Sequence, residues 1–436
     1  MKQYETYKPS GIELLGEIPE HWDVKRVKDS VVSPLKYGAN EAAEDDNPLN
    51  PRYIRITDFS DNGLLKEETF KSLPHSIAKD YLLNEDDILF ARSGATVGKT
   101  FIFKNYNGKA CFAGYLIKAS LNKKIMTPSF LYFFSKSYSY DNWKNFINTE
   151  STIQNISAEK YNNLLLPFPP LSEQAAIANY LDTKTAVIDR KIELLTTKAA
   201  KYKALRRSLI NETVCRGLNL NVSLKDSGVE WIGMIPEHWE VKRVKEIFRN
   251  TGSGTTPPSG DQTYYDDNGS NWLQTGDLND SFITETSKKI SQKAVAEFST
   301  LKRYPKNSLV IAMYGATIGK MGYLNIDTTT NQACCVLTNP KGNNSQYLFY
   351  QLLSIKQFII SLSTGGGQPN INQDIVRFLR LCLPDLQEQT AIANYLDEKT
   401  TQIDTILSNI GEQITKLRQL RKTLINDVVT GKINVT

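Results

Sequence analysis

The sequence lacks several features that define common classes of protein. It has no run of about 18 apolar residues, so no transmembrane helix is predicted. Met1–Glu5 carry no apolar signal core, so we expect a cytoplasmic protein. The five cysteines show no CxxC spacing and only three histidines are present, which predicts neither a disulfide framework nor a metal centre. The formal net charge of +5 is compatible with a nucleic-acid partner without requiring one.

An internal repeat dominates the 436-residue chain. Residues 11–28 and 228–245 are identical at 13 of 18 positions, and both contain the block IPEHW. A second block, EQ-x-AIANYLD, occurs at Glu173–Asp182 and again at Glu388–Asp397. The numbering offset between matching positions changes along the chain, so segments between the matching blocks differ in length. The two halves therefore share a framework whose loops differ, and divergent loops on a common scaffold are where recognition usually lies.

Each half predicts a globular module followed by a long helix. Short β-type runs, such as Tyr53–Ile56, Asp87–Phe90 and Ser308–Ala312, alternate with loops rich in Gly, Pro and Asn, which indicates a mixed α/β fold. The predicted boundaries are 1–168 for the first module, 169–217 for the first helix, 218–383 for the second module and 384–436 for the second helix.

Both helical segments carry apolar residues at heptad spacing, with proline before them and Gly217 or Gly431 after them. We expect the two helices to pair as an antiparallel coiled coil, and the alternative is two independent surface helices. The predicted seam residues are Ile177, Leu181, Ile188, Leu195, Tyr202, Leu205 and Leu209 in the first helix, and Ile392, Leu396, Ile403, Ile410, Leu417, Leu420 and Leu424 in the second.

This arrangement resembles a known family. Two variable modules, each opened by G-[IV]-E-x-[LI]-G-x-IPEHW and closed by P-x-L-x-EQ-x-AIANYLD, resemble the specificity subunit of type I restriction-modification enzymes over essentially the whole chain. The resemblance implies that each module is a target recognition domain reading one half of a split site in double-stranded DNA. It also implies that the helices form a spacer that docks two methyltransferase subunits, that restriction and translocation subunits join the complex, and that this chain has neither a catalytic site nor a cofactor.

Three kinds of enzyme site, for nucleotide binding, DNA methylation and DNA cleavage, are alternatives to this resemblance. Ser93–Thr100 reads SGATVGKT, but Gly94 and Gly98 are separated by three residues where a phosphate-binding loop has four. A turn between two strands is the alternative. No Asn/Asp-Pro-Pro-aromatic site for amino-group methylation is found. Asp397-Glu398-Lys399 has the residues of a nuclease site but lies in the predicted coiled coil. A purely structural interaction protein without a DNA role is the remaining alternative.

Two further motifs stay open at this point. His21-Trp22 and His238-Trp239 repeat identically, which favours a framework role or subunit docking over base reading, because base-reading residues should differ between the halves. Arg206-Arg207 and Arg421-Lys422 lie late in the two helices. These cations either complement the helix macrodipole or neutralise DNA phosphates.

Polar and basic residues of the divergent segments are the candidates for DNA contact. Arginine and lysine recognise guanine, and asparagine and glutamine recognise adenine. The predicted DNA-binding residues are Lys36, Tyr37, Asn40, Arg52, Arg55, Arg92 and Lys99 in the first module, and Thr256, Gln262, Tyr264, Tyr265, Gln274, Tyr314 and Lys320 in the second.

Overall fold

The computed structural model describes residues 2–12, 15–60, 63, 65–149, 155–363 and 370–436. The chain forms two compact units, one of residues 1–196 with 411–436 and one of residues 197–410. Each unit therefore contains one module, the first half of one long helix and the second half of the other. Among the described residues, no helix has the length and apolar character needed to cross a membrane.

The elements of the chain up to Arg216 are short strands and helices followed by one long helix. The strands are β1 (Tyr7–Pro9), β2 (Glu17–Pro19), β3 (Asp23–Arg26), β4 (Lys36–Tyr37), β5 (Arg52–Ile54), β6 (Ile88–Ala91), β7 (Thr100–Ile102), β8 (Ala110–Phe112), β9 (Leu116–Ala119) and β10 (Leu165–Phe168). The helices are α1 (His75–Ala78), α2 (Pro128–Phe134), α3 (Tyr138–Thr149), α4 (Ala158–Asn162) and α5 (Leu171–Arg216).

The remainder of the chain follows a similar order, and three of its strands are longer than those of the first part. The strands are β11 (Leu224–Asp226), β12 (Met234–Pro236), β13 (Glu240–Arg243), β14 (Phe248–Gly252), β15 (Tyr265–Leu273), β16 (Ser281–Ile283), β17 (Lys288–Ile290), β18 (Leu309–Ala312), β19 (Met321–Leu324), β20 (Thr329–Thr330), β21 (Cys334–Pro340) and β22 (Arg380–Leu383). The helices are α6 (Val244–Ile247), α7 (Gln292–Glu297), α8 (Ser345–Ser354), α9 (Lys356–Ser361), α10 (Gln373–Phe378) and α11 (Leu386–Val429).

The sheets of the two units follow the same plan. In the first unit a four-stranded sheet has the order β4-β9-β6-β7, and the pairs β1-β2 and β3-β10 lie outside it. In the second unit the corresponding sheet is β14-β21-β18-β19-β16, and the corresponding pairs are β11-β12 and β13-β22. The second unit adds a β17-β15-β20 sheet, whereas the first has a parallel β5-β8 pair. The predicted mixed fold with an internal repeat is confirmed, and the additions lie in the segments whose sequences diverge.

Each long helix follows proline and ends before glycine, although α11 ends at Val429 and not at the predicted boundary of 436. Pro169-Pro170 and Pro384 precede them, and Gly217 and Gly431, with φ of 74° and 77°, follow their last turns. These positive φ values favour glycine, because other residues adopt the left-handed region at a cost. In place of Gly431 a side chain would also have its Cβ overlapping the Pro19 ring, so this position requires glycine on both grounds.

Within each unit the two helices pair antiparallel. In the first unit Ile177, Leu181 and Ile188 of α5 share a buried cluster with Leu424 and Val428 of α11. In the second unit the late α5 residues Ile210 and Val214 share a cluster with the early α11 residues Ile392 and Leu396. The start of one helix thus meets the end of the other, as expected for an antiparallel coiled coil.

Two predicted seam positions are wrong. Leu205 and Leu420 are 53% and 54% exposed and lie outside the seam. Successive seam positions are separated alternately by four and three residues. Counted in this way from Tyr202 and Leu417, the next seam positions are Arg206 and Arg421, and each of these is only partly exposed. The other predicted seam residues are buried (Ile177, Leu181, Ile188, Ile392, Leu396, Ile403, Ile410, Leu424) or partly buried (Leu195, Tyr202, Leu209, Leu417).

An arginine–aspartate ion pair between the helices explains, in both units, why an arginine and not the preceding leucine lies on the inner face. Arg421 donates two hydrogen bonds to the carboxylate of Asp189, at 2.8 and 3.1 Å. Arg206 Nε lies 3.2 Å from Asp404 Oδ1. Arg206 and Arg421 occupy the same position relative to the EQ-x-AIANYLD block of their own helix, as do Asp189 and Asp404. A guanidinium that donates two bonds to one carboxylate fixes geometry as well as contributing energy, so the Arg421–Asp189 pair holds the register of the helices in the first unit.

Candidate nucleic-acid interface

The IPEHW block of the first unit is anchored on the start of α5. Trp22 is fully buried, and its indole N–H donates to Glu173 Oε2 at 3.0 Å. The Tyr4 hydroxyl donates to the same oxygen at 3.0 Å, and His21 Nε2 lies 2.6 Å from Glu173 Oε1. Burial and the adjacent Glu173 carboxylate raise the pKa of Tyr4, which keeps this donor protonated. We call Glu173 with its three donors the glutamate anchor.

The second unit has an equivalent glutamate anchor. The indole N–H of the fully buried Trp239 donates to Glu388 Oε2 at 3.2 Å, and His238 Nε2 lies 2.9 Å from the same oxygen. Both histidine side chains are about half exposed, at 48% and 52%. This geometry favours a framework role for the tryptophans, and the exposed histidine edges leave the docking alternative open.

The glutamine that follows each anchor ties the helix to its module. Gln174 accepts the Thr127 N–H at 2.8 Å and donates to the Pro169 carbonyl at 2.9 Å. Gln389 accepts the Asn344 N–H at 2.9 Å and donates to the Pro384 carbonyl at 2.9 Å. Because buried polar groups need partners, these bonds fix the angle at which each helix leaves its module.

The GATVGK and GATIGK segments are turns between antiparallel strands. The first joins β6 to β7 and the second joins β18 to β19. A phosphate-binding loop connects a strand to a helix, so this topology supports the turn interpretation. At Gly98, with φ of 79°, an added Cβ would overlap the Lys144 side chain. The close packing of this glycine indicates a structural role for the turn.

In the first module, three DNA-contact candidates in and just after β4 are exposed. Lys36, Tyr37 and Asn40 are exposed, and the Arg92 guanidinium lies 4.6 Å from the Tyr37 ring centroid. Arg55 is less available, because its guanidinium donates to Asp58 Oδ1 at 2.8 Å. Lys99 is exposed on the GATVGK turn.

Arg52 is a wrong prediction. Its side chain is fully buried, and Nη2 donates to the Lys66 carbonyl at 2.5 Å. The guanidinium lies 5.7 Å from the Phe70 ring centroid and 5.4 Å from that of Tyr106. A buried guanidinium enclosed by its own module cannot reach a base, so Arg52 stabilises the module.

In the second module the exposed candidates are Thr256 and Gln262, while Tyr265, Gln274, Tyr314 and Lys320 are partly exposed. Tyr264 is a wrong prediction, because it is only 8% exposed and its hydroxyl donates to Glu297 Oε1 at 2.8 Å. Its ring packs against Phe298 in a small apolar cluster. Tyr264 therefore belongs to the interior of the module.

The cysteines are consistent with a structural role. Cys111, Cys334, Cys335 and Cys382 are buried. Burial raises the pKa of the Cys111 and Cys335 thiols to about 12, which disfavours the thiolate needed for nucleophilic chemistry or metal binding. Within the described ranges, no group of three or more His, Cys, Asp or Glu residues is arranged to hold a metal ion.

Comparison with known proteins identifies the family. The model of the type I restriction modification DNA specificity domain matches twice, at residues 19–201 and 236–416. The chain belongs to the type I restriction-modification DNA specificity family. Each matched segment of this specificity chain begins at the proline of an IPEHW block and continues into a long helix, so the family unit contains both a module and its helix.

Two curated relatives of the specificity chain are similar over nearly their full length. The MjaVIII specificity subunit of Methanocaldococcus jannaschii is 26% identical, covering 96% of this chain and 94% of the relative. The EcoKI specificity subunit of Escherichia coli K12 is 21% identical, covering 96% and 90%. A chain from a structural study of complex assembly in a type I R-M system superposes with a TM-score of 0.73 at 16% identity, covering 95% and 99%. The HsdS subunit from Thermoanaerobacter tengcongensis gives a TM-score of 0.50, covering 95% and 98%.

Sequence reasoning missed the residues that hold the framework. No role is predicted from the sequence for Glu173, Glu388, Asp189 or Asp404, although each has an identical counterpart at the equivalent position of the other half. A charged residue retained at the same position of both helices is the signal that could have revealed them.

Proposed function

We propose that this chain is the DNA-reading subunit of a type I restriction-modification complex. Each module reads one half of a bipartite target, and the two halves are different sequences. The chain recruits two methyltransferase subunits together with restriction and translocation subunits, and it contributes no catalytic group of its own. It acts on double-stranded DNA in the cytoplasm.

The observation that carries this proposal is a repeated framework with unlike recognition surfaces. The glutamate anchor and the arginine–aspartate pair recur in both units. The segments between them differ, since the second module alone has the β17-β15-β20 sheet. Base identity is read by side chains in the grooves, so modules with different loops should select different half-sites.

A reconstitution experiment tests the division of labour. The purified chain is incubated with S-adenosylmethionine and duplex DNA, alone and with the methyltransferase subunit from the same locus. We expect methyl transfer only in the mixture, and we expect methyltransferase alone to be inactive on the same duplex. Methyl transfer or cleavage by the chain alone would contradict the proposal and favour the enzyme alternative.

A further inference from the structure

Each unit contains a basic cleft between its module and the late part of a long helix. In the first unit the cleft has a volume of about 350 Å³ and is lined by six basic residues: Lys99, Lys136, Lys144, Arg418, Arg421 and Lys422. In the second unit a cleft of about 470 Å³ is lined by four: Lys203, Arg206, Arg207 and Lys356. We call them the first and second basic clefts.

The helix residues of the two clefts are internal counterparts. Aligning the two EQ-x-AIANYLD blocks pairs Lys203 with Arg418, Arg206 with Arg421, and Arg207 with Lys422. The module walls also correspond: the first cleft uses the end of α2 and the start of α3, and the second uses the end of α8 and the start of α9. The chain thus builds the same cationic feature twice, on the framework that the two halves share.

Acidic residues in and beside the clefts hold their bases in place without cancelling the charge. Asp141 accepts from Lys144 at 2.8 Å and from Lys422 at 2.5 Å. In the second cleft Lys356 donates to Asp280 at 2.5 Å. Lys144, Arg418, Arg421 and Lys422 give the first cleft four bases against two acids, Asp141 and Asp189. The second cleft likewise has four bases against two acids, Asp280 and Asp404. Each cleft therefore retains an excess of positive charge.

Two observations indicate that the clefts can accept an anion. Arg206 Nε is buried without a well-aligned hydrogen bond to any described residue, although Asp404 is 3.2 Å away. Lys136 is partly buried and donates to the Thr100 carbonyl, and desolvation with the nearby Arg421 and Lys99 charges lowers its pKa to about 7. A bound anion reduces the electrostatic repulsion between cations that lie this close together.

The repetition of the clefts indicates which anion they bind. Contacts to bases carry sequence information and should differ between modules, whereas contacts to phosphates position the duplex and can be the same. Both clefts combine arginine and lysine, the side chains that contact DNA phosphates, and a protein partner is the alternative that the experiment below separates. We propose that the two basic clefts are phosphate-binding sites that hold the DNA backbone beside each half-site. This proposal rests on the proposed function, since it takes DNA as the ligand.

Salt dependence of DNA binding tests the clefts directly. Lys203 and Arg418 are exposed counterparts in the two clefts, and both are changed to alanine in one variant of the full complex. Each phosphate contact contributes about 0.9 to the slope of log affinity against log salt concentration. We expect the slope to become less steep by about 1.8, with equal losses of affinity for target and scrambled duplexes.

The chain provides a matched control. Lys201 and Lys416 are likewise counterparts in the two helices, are exposed, and lie outside both clefts. The Lys201→Ala/Lys416→Ala variant removes the same charge and should leave the slope within about 0.3 of the wild-type value, because the expected change requires a direct contact. Equal slopes for the two variants would overturn the proposal. So would weaker binding of the methyltransferase subunit with unchanged DNA binding, which would make the clefts a protein interface.

The two proposals can fail separately. If wild-type complex does not distinguish target from scrambled duplex, the proposed function fails. The salt slope on scrambled duplex still decides whether the clefts bind phosphate, because that contact is independent of sequence.

Discussion

Replacing Glu173 by leucine should loosen the first unit at the IPEHW block. The substitution leaves the buried Trp22 indole N–H without an acceptor, which costs about 1–3 kcal/mol. It also removes a carboxylate from the first turn of α5, where a negative charge contributes about 0.3–1 kcal/mol. Together the local free energy of opening should fall by about 1–4 kcal/mol. Glu388→Leu should cost less, because that carboxylate is more exposed, at 26% against 15% for Glu173.

Hydrogen exchange measured by mass spectrometry reports this change at the site itself. Since about 1.4 kcal/mol corresponds to a factor of ten, amides in residues 15–26 should exchange about tenfold to a thousandfold faster in Glu173→Leu. Amides in residues 232–243 should keep their wild-type rates. Glu193→Leu is the control, because Glu193 lies on the same helix and is 64% exposed.

The opposite pattern would refute the framework interpretation. If Glu173→Leu left exchange in residues 15–26 unchanged but abolished methylation by the assembled complex, the His-Trp block would be a docking surface. The Glu173→Gln variant separates the framework interpretation from the docking interpretation further. Its amide oxygen still accepts a hydrogen bond, so the amides of residues 15–26 should largely regain their protection from exchange.

Two further predictions concern charge and spacing. Because burial lowers the Lys136 pKa to about 7, this side chain holds fewer protons in the folded protein than in the unfolded chain between about pH 7 and 10, and its own contribution to stability should rise with pH in that window. Urea denaturation should show this rise flattened in Lys136→Met, and an unchanged pH profile would contradict it. One heptad added to each helix, after Leu195 and after Ile410, falls at the borders of the compact units. It lengthens each helix by about 10 Å, or about three base pairs. Methylome sequencing should show unchanged half-sites with a longer gap, or lost activity, and full activity at the original spacing would show that the helices do not set the distance.

The sequence predicts the helices well because their signals are local. Proline before each helix, glycine after it and the heptad spacing depend on neighbouring residues alone. The heptad pattern misplaces the seam at Leu205 and Leu420 because it favours an apolar residue, whereas the fold places Arg206 and Arg421 there. A paired arginine satisfies a seam position only when its aspartate lies on the other helix, and that contact cannot be read from one helix.

DNA-contact residues are harder to predict because burial depends on distant residues. Arg52 has the side chain of a guanine reader, but Phe70 and Tyr106 enclose it. The Tyr264 hydroxyl is bound to Glu297, which lies beyond the next three strands along the chain. Nothing in the local sequence distinguishes these residues from the exposed Lys36 or Gln262.

A module exchange tests most directly whether each module reads one half-site. Residues 30–165 are replaced by the equivalent segment of a relative with a different target, and the methylome of cells carrying the hybrid and its methyltransferase is sequenced. The account predicts that one half of the target changes to that of the relative while the other half is retained. A change in both halves, or in neither while methylation persists, would contradict it.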